Sequence, residues 1–100
     1  MSQFEEKYIE KVMDQLKEPK LYKVMLINDD YSTMDFVILV LMSIFHKSLP
    51  DANRLMETIH QAGQGLCGIY PFEVAETKVA QVAVIAEKHR FPLQSRLEEE

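Results

Sequence analysis

The strongest constraint on this chain is the uninterrupted apolar run Phe36-Val37-Ile38-Leu39-Val40-Leu41-Met42, continued by Ile44 and Phe45. Ser32 and Thr33 precede it, and either hydroxyl can satisfy the first free N–H groups of a helix over about residues 34–46. Such a helix has almost no polar side and must be buried nearly all round. A chain of 100 residues makes one core with a radius of gyration near ~13 Å. One layer of helices in so small a domain cannot be fully surrounded, so part of this helix is expected to stay open as a groove or contact face. The run is also far shorter than the ~20 residues that cross a bilayer.

The rest of the chain supplies what the helix packs on. Leu21 to Ile27 is rich in β-formers and stops at Asn28-Asp29-Asp30, a strand followed by a turn. A second helix is expected to begin near Leu49-Pro50-Asp51, with Ala52, Leu55, Met56 and Ile59 on its apolar side and Gly63 and Gly65 ending it. Gly65 to Phe72 is short, aromatic and Gly-punctuated, so a bent or bulged strand is expected there. A third helix spans Glu73 to Arg90, with Val74, Val79, Val82, Ala83, Ile85 and Ala86 inward and Thr77, Lys78, Gln81 and Lys88 mostly outside. Beyond Pro92, the alternation of Leu93, Ser95 and Leu97 with polar neighbours marks an edge strand. The order β-α-α-β-α-β defines an α+β fold, a three-stranded antiparallel sheet packed on three helices, with its core over residues 21–100. Residues 1–20 form an N-terminal arm. Its apolar Phe4, Tyr8, Ile9, Val12, Met13 and Leu16 fall on one helical stripe that Pro19 ends, so the arm is an amphipathic helix or a mobile extension.

Charge and inventory narrow the chemistry. A net charge of -5 argues against a phosphate-backbone binder, which needs clustered Lys and Arg. Cys67 is the only cysteine, so no intrachain disulfide forms and the cytoplasm is the expected compartment. The N-terminus has no apolar h-region. There is no nucleophile elbow, no Gly-rich phosphate loop and no metal-type His or Cys spacing; His46, His60 and His89 lie on different segments. The expectation is no enzyme, no metal and no cofactor. Cys67 reads as a small buried apolar residue, and His46 and His89 as helix C-terminal caps.

The trio Asn28-Asp29-Asp30 is by its residue types a turn. Placed beside an apolar helix it offers more. A carboxylate, an amide and a nearby imidazole acceptor together meet three ammonium hydrogens, while an adjacent apolar recess takes a side chain.

The stretch Tyr22-Lys23-Val24-Met25-Leu26-Ile27-Asn28-Asp29-Asp30-Tyr31-Ser32-Thr33-Met34-Asp35-Phe36-Val37 resembles the signature of the ClpS adaptors. So do Leu55-Met56 with Ile59-His60 and Gly63, then Cys67-Gly68-Ile69-Tyr70 and Glu73-Val74-Ala75-Glu76-Thr77-Lys78-Val79-Ala80, up to Pro92-Leu93. The resemblance covers about residues 20–97. It implies a non-catalytic module that recognises N-terminal degradation signals and hands their bearers to a Clp-type AAA+ unfoldase. Asn28, Asp29, Asp30 and His60 would serve the substrate's α-amino group, with Asp29 shaping the loop and adding negative potential. Ser32, Met34, Val37, Met56, Ile59 and Leu93 would line the side-chain pocket. Glu73 and Lys78 would dock the N-terminal domain of an unfoldase of ClpA or ClpC type. The implied substrates are N-terminal peptides beginning with Leu, Phe, Tyr or Trp. Leu39 and Met42 stand where relatives are usually polar, which points to a self-contact or an extra docking surface. The alternative from the residues alone is a docking domain of the same fold that is indifferent to peptide N-termini.

Overall fold

The structure, a computed structural model, describes residues 2–17 and 19–100; Met1 and Glu18, both within the expected arm, lie outside the described residues. The arm contributes helix α1 (Gln3–Lys17). Strand β1 (Leu21–Ile27) follows and buries Val24 and Leu26 completely. Helix α2 (Met34–Ser43) contains the whole apolar run Phe36–Met42 and stops before Ile44 and Phe45. Of the two candidate caps, Thr33 serves, its Oγ1 accepting from the Phe36 N–H at 3.1 Å. Helix α3 (Leu49–Ala62) starts at Ser48, whose Oγ accepts from the Asp51 N–H, and Pro50 occupies the first turn, where no N–H is missed. Strand β2 (Gln64–Pro71) runs directly into α4 (Phe72–His89), and β3 (Gln94–Glu99) closes the chain.

The sheet has the order β2-β1-β3 with both pairings antiparallel. The expected bulge is present: Val24 pairs with Gly68 but Met25 with Leu66, which leaves Cys67 as the extra residue on β2. Helices α2, α3 and α4 close over one face, where Val24, Leu26, Phe36, Val40, Leu41, Ile59, Cys67 and Val82 form the core. Helix α2 runs against α4: Phe36 stacks on His89 at 5.3 Å and Phe91 at 4.7 Å, and at the other end the Lys78 ammonium donates to the Ile44 carbonyl at 2.7 Å.

Four expectations need correction. Gly63 alone ends α3, in the left-handed conformation at φ 86°; Gly65 lies within β2. On α4 the buried stripe is Ala75, Val82 and Ala86 with half-buried Val79, so Val74 and Ala83, each about 100° round the helix from a stripe member, face solvent. Lys78 is half-buried rather than outside. The radius of gyration is 17.2 Å, with extents of 58 × 25 × 21 Å, because α1 stands out with its apolar residues uncovered. Leu39 and Met42 are exposed on α2, the open apolar surface that the run demanded.

Candidate functional site

A backbone hydrogen bond sets the site. Where β1 ends, the Asn28 N–H donates to the Gly63 carbonyl at 2.9 Å, which ties the acidic turn to the end of α3. His60, in the last turn of α3, is thereby held beside that turn. The adjacent Gly65 lets β2 approach closely, since a Cβ there would lie 2.6 Å from Ile59 Cγ1 and 3.0 Å from Leu55 Cδ1. A recess of about 300 Å³ opens between these elements. Asn28, Asp29, Asp30 and His60 form its polar part, and Ser32, Met34, Val37, Met56 and Ile59 its remaining wall.

The turn's internal bonding separates the roles of its two carboxylates. Asp29 Oδ1 accepts from the N–H groups of Tyr31 (2.8 Å) and Ser32 (2.6 Å), and its Oδ2 accepts from the Ser32 hydroxyl at 2.7 Å. Burial is the largest single influence and raises the carboxyl's pKa. The hydrogen bonds from the Ser32 N–H, the Ser32 hydroxyl and the Tyr31 N–H together outweigh it and hold Asp29 below its ordinary value. Asp29 is thus an ionised brace of the loop. Asp30 is exposed beside it, a carboxylate at the recess open to an incoming donor.

The apolar wall is graded. Val37 and Ile59 are buried and belong also to the core, Met56 is half-buried, and Met34 at the start of α2 is 61% exposed at the mouth. Leu93 is not among the residues around the recess; it is packed into the core just ahead of β3. Gly65 is the contributor that residue types alone did not reveal, because a close approach between strand and helix is a tertiary fact. Its signal was a second glycine two residues beyond a sufficient helix stop.

The two candidate docking residues are not brought together. Glu73 is exposed in the first turn of α4, whereas the Lys78 ammonium is held by the Ile44 carbonyl and lies 5.8 Å from the centre of the Tyr70 ring. Five residues apart on a helix, they point about 140° from each other. A second hollow, about 600 Å³, lies between the end of α2 and α4. Its one charged lining group is Lys88, so it offers no carboxylate to a cation. No group of three or more His, Cys, Asp or Glu is gathered for a metal among the described residues. Burial pushes the Cys67 thiol up to about 12, so at neutral pH it is protonated and a poor nucleophile. No described helix is long and apolar enough to cross a membrane.

A three-stranded sheet under three helices, with an acceptor-rich notch at the end of its central strand, defines a small recognition module. The chain belongs to the ClpS family: the model of the ATP-dependent Clp protease adaptor protein ClpS matches residues 17–96. It is 52% identical over 98 residues to the ATP-dependent Clp protease adapter protein ClpS of Wolinella succinogenes, covering 98% of this chain and 94% of that one. To the protein of the same name from Maricaulis maris it is 55% identical over 84 residues, 84% of this chain and 77% of that one. The solved structure of Agrobacterium tumefaciens ClpS2 bound to L-phenylalaninamide superposes with a TM-score of 0.80 at 38% identity, covering 83% of this chain and all of that one. The protein is a Clp protease adaptor and not an enzyme.

Proposed function

We propose that the recess between β1, α2 and α3 holds the first residue of a polypeptide, its α-ammonium at Asn28, Asp30 and His60 and its side chain against Met34, Val37, Met56 and Ile59. The observation that carries this reading is the recess itself, where acceptors and apolar surface meet in one space of about 300 Å³. That volume is at the small end of ligand sites, which run from ~300 to ~1,000 Å³. The relative from Agrobacterium tumefaciens is bound to L-phenylalaninamide. That compound has a free α-amino group, a benzyl side chain and an amide where the next peptide bond would be, so it presents the start of a Phe-initiated chain and nothing else.

The chemistry follows from the groups. An α-amino group with a reference pKa of ~7.7–8.0 is mostly an ammonium at neutral pH, with three donors and no acceptor. Asp30 supplies a charged acceptor, Asn28 a carbonyl oxygen, and His60 an unprotonated ring nitrogen when its imidazole is neutral. Hydrogen bonds of this charge-assisted kind contribute about 1.5–3 kcal/mol each. Burying ~150 Å² of an aromatic side chain adds roughly 4 kcal/mol at ~25 cal/mol per Å², before ordering costs. An internal segment has no ammonium and leaves the acceptors unpaired, which restricts binding to chain starts.

In this reading Leu, Phe, Tyr and Trp are the accepted first residues. The core of residues 21–100 carries the site, and residues 1–20 form its arm. The partner that receives the bound chain is an unfoldase of ClpA or ClpC type, contacted through Glu73 and the α4 surface around it, in the cytoplasm. Lys78 enters that surface indirectly, by fixing the end of α2. The test is fluorescence anisotropy with peptides that differ only in the first residue, each with a free or an acetylated N-terminus. Free Phe- and Leu-initiated peptides are expected to bind, and acetylation to cost at least about 100-fold, the equivalent of losing two such hydrogen bonds. Equal affinity for free and acetylated peptides refutes the reading and leaves a docking domain blind to chain ends.

A further inference from the structure

Two apolar surfaces of this molecule lack partners, and they are joined by a short tether. The first is α1. Turning about 100° per residue, it carries Phe4, Tyr8, Ile9, Val12, Met13 and Leu16 in one half of its circumference. Phe4 and Leu16 are 79% and 73% exposed. The same turning puts Lys11 and, higher up, Lys7 along the edge beside Phe4 and Tyr8, and Glu6 and, higher up, Glu10 along the opposite edge beside Ile9 and Met13, while Asp14 faces away from the apolar half. The second surface is the sheet face away from the helices. There β1 presents Leu21, Met25 and Ile27 around Lys23, and β2 presents Leu66 and Ile69; Leu21, Leu66 and Ile69 are exposed. The charges on this face are Lys23 on β1 and Arg96 and Glu98 on β3, while the paired positions of β2 bear none.

We propose that α1 folds back in cis across the open sheet face, antiparallel to β1, with its acidic edge over β3 and its apolar half on Met25, Leu66 and Ile69. Lengths agree. The 15 residues of α1 span about 22 Å, and the 7 residues of β1 span about 23 Å. From residue 17 to residue 21 the chain reaches at most about 15 Å in four Cα steps, enough for the ~10 Å between stacked layers. It is too short to carry α1 past the sheet and over the outer side of α4, a further layer away.

Charge fixes the orientation. The β2-α4-β3 connection joins parallel strands and takes the right-handed crossover. Seen from the open face with β1 pointing up, β3 is then on the right. A right-handed helix lying antiparallel to β1, apolar side down, turns Glu6 and Glu10 toward β3 and Lys7 and Lys11 toward β2. Glu10 at the middle of α1 meets Arg96 at the middle of β3. Glu5 interrupts the apolar half in the first turn and lands at the sheet end bordered by Gln64 and Gln94. The opposite orientation sets lysines over Arg96 and carboxylates over Leu66 and Ile69. A docked α1 is hidden from other proteins, so the arm is offered to a partner only when it lifts off.

Hydrogen exchange of the full chain, read by mass spectrometry over residues 8–16, tests this. The expected result is exchange at least tenfold slower in the parent than in Ile69→Glu, with Arg96→Glu in between and Glu10→Arg/Arg96→Glu restored toward the parent. Ile69 and Arg96 are exposed and away from the recess, so circular dichroism and peptide affinity should change less than twofold in all variants. Equal exchange in parent and Ile69→Glu, or no recovery in the double variant, overturns the proposal. Protection that fades on dilution together with a dimer in sedimentation also overturns it, by placing α1 on a second copy.

Discussion

Replacing Gly65 with Ala adds one methyl group where β2 and α3 approach closely. The new Cβ would sit 2.6 Å from Ile59 Cγ1 and 3.0 Å from Leu55 Cδ1. Ile59 cannot swing away, because it is 2% exposed and part of the core. Overpacking of this kind costs about 1–3 kcal/mol. The backbone at Gly65 is not left-handed, so where space exists the same change stabilises by about 0.4–1 kcal/mol through the unfolded chain. A double-mutant cycle therefore changes sign. Gly65→Ala is expected to destabilise the parent by about 2 kcal/mol in urea unfolding, yet to be neutral or stabilising in an Ile59→Ala background, a coupling of at least about 2 kcal/mol. Because Ile59 both touches Gly65 and lines the recess beside His60, affinity for a Phe-initiated peptide falls in the single mutant even where it is fully folded. Additive effects on stability, or unchanged affinity, would refute the idea that this contact sets the position of α3.

At the mouth, Met34→Ala removes an exposed thioether that narrows the entrance. Anisotropy should show Ile- and Val-initiated peptides gaining about 1–3 kcal/mol relative to Leu, with the unfolding midpoint unchanged. The Cys67 thiol, ordinarily at 9.0, is pushed by burial up to about 12. The folded state holds this proton more tightly, so stability is intact below pH 9.0 and falls from there to about pH 12, by about 4 kcal/mol in all. Urea unfolding across that range should show the decline in the parent and its loss in Cys67→Ala.

The apolar run from Phe36 showed in advance that a helix would keep an open face, and exposed Leu39 and Met42 are that face. The turn Asn28-Asp29-Asp30 and the α3 stop at Gly63 were legible because local chemistry decides them: short polar side chains bond their own backbone, and glycine takes a positive φ. What could not be read was set by distant contacts. Leu93 looked available for the recess but is drawn into the core, and Lys78 looked like a free surface charge but caps α2 through the Ile44 carbonyl. Val74 and Ala83 show the same limit on a smaller scale, since an apolar pattern with several candidate stripes leaves the helix rotation to be chosen by packing.

The hydrogen bond from Asn28 to Gly63 also has a meaning for synthesis on the ribosome. It joins the end of the first strand to a residue beyond the next two helices, so a nascent fragment that stops short of Gly63 lacks the clasp between the two halves of the receptor. If the recess holds a chain start as proposed, that capacity arrives in one step, after α3 has emerged, and an unfinished copy has no assembled grip with which to compete for cargo.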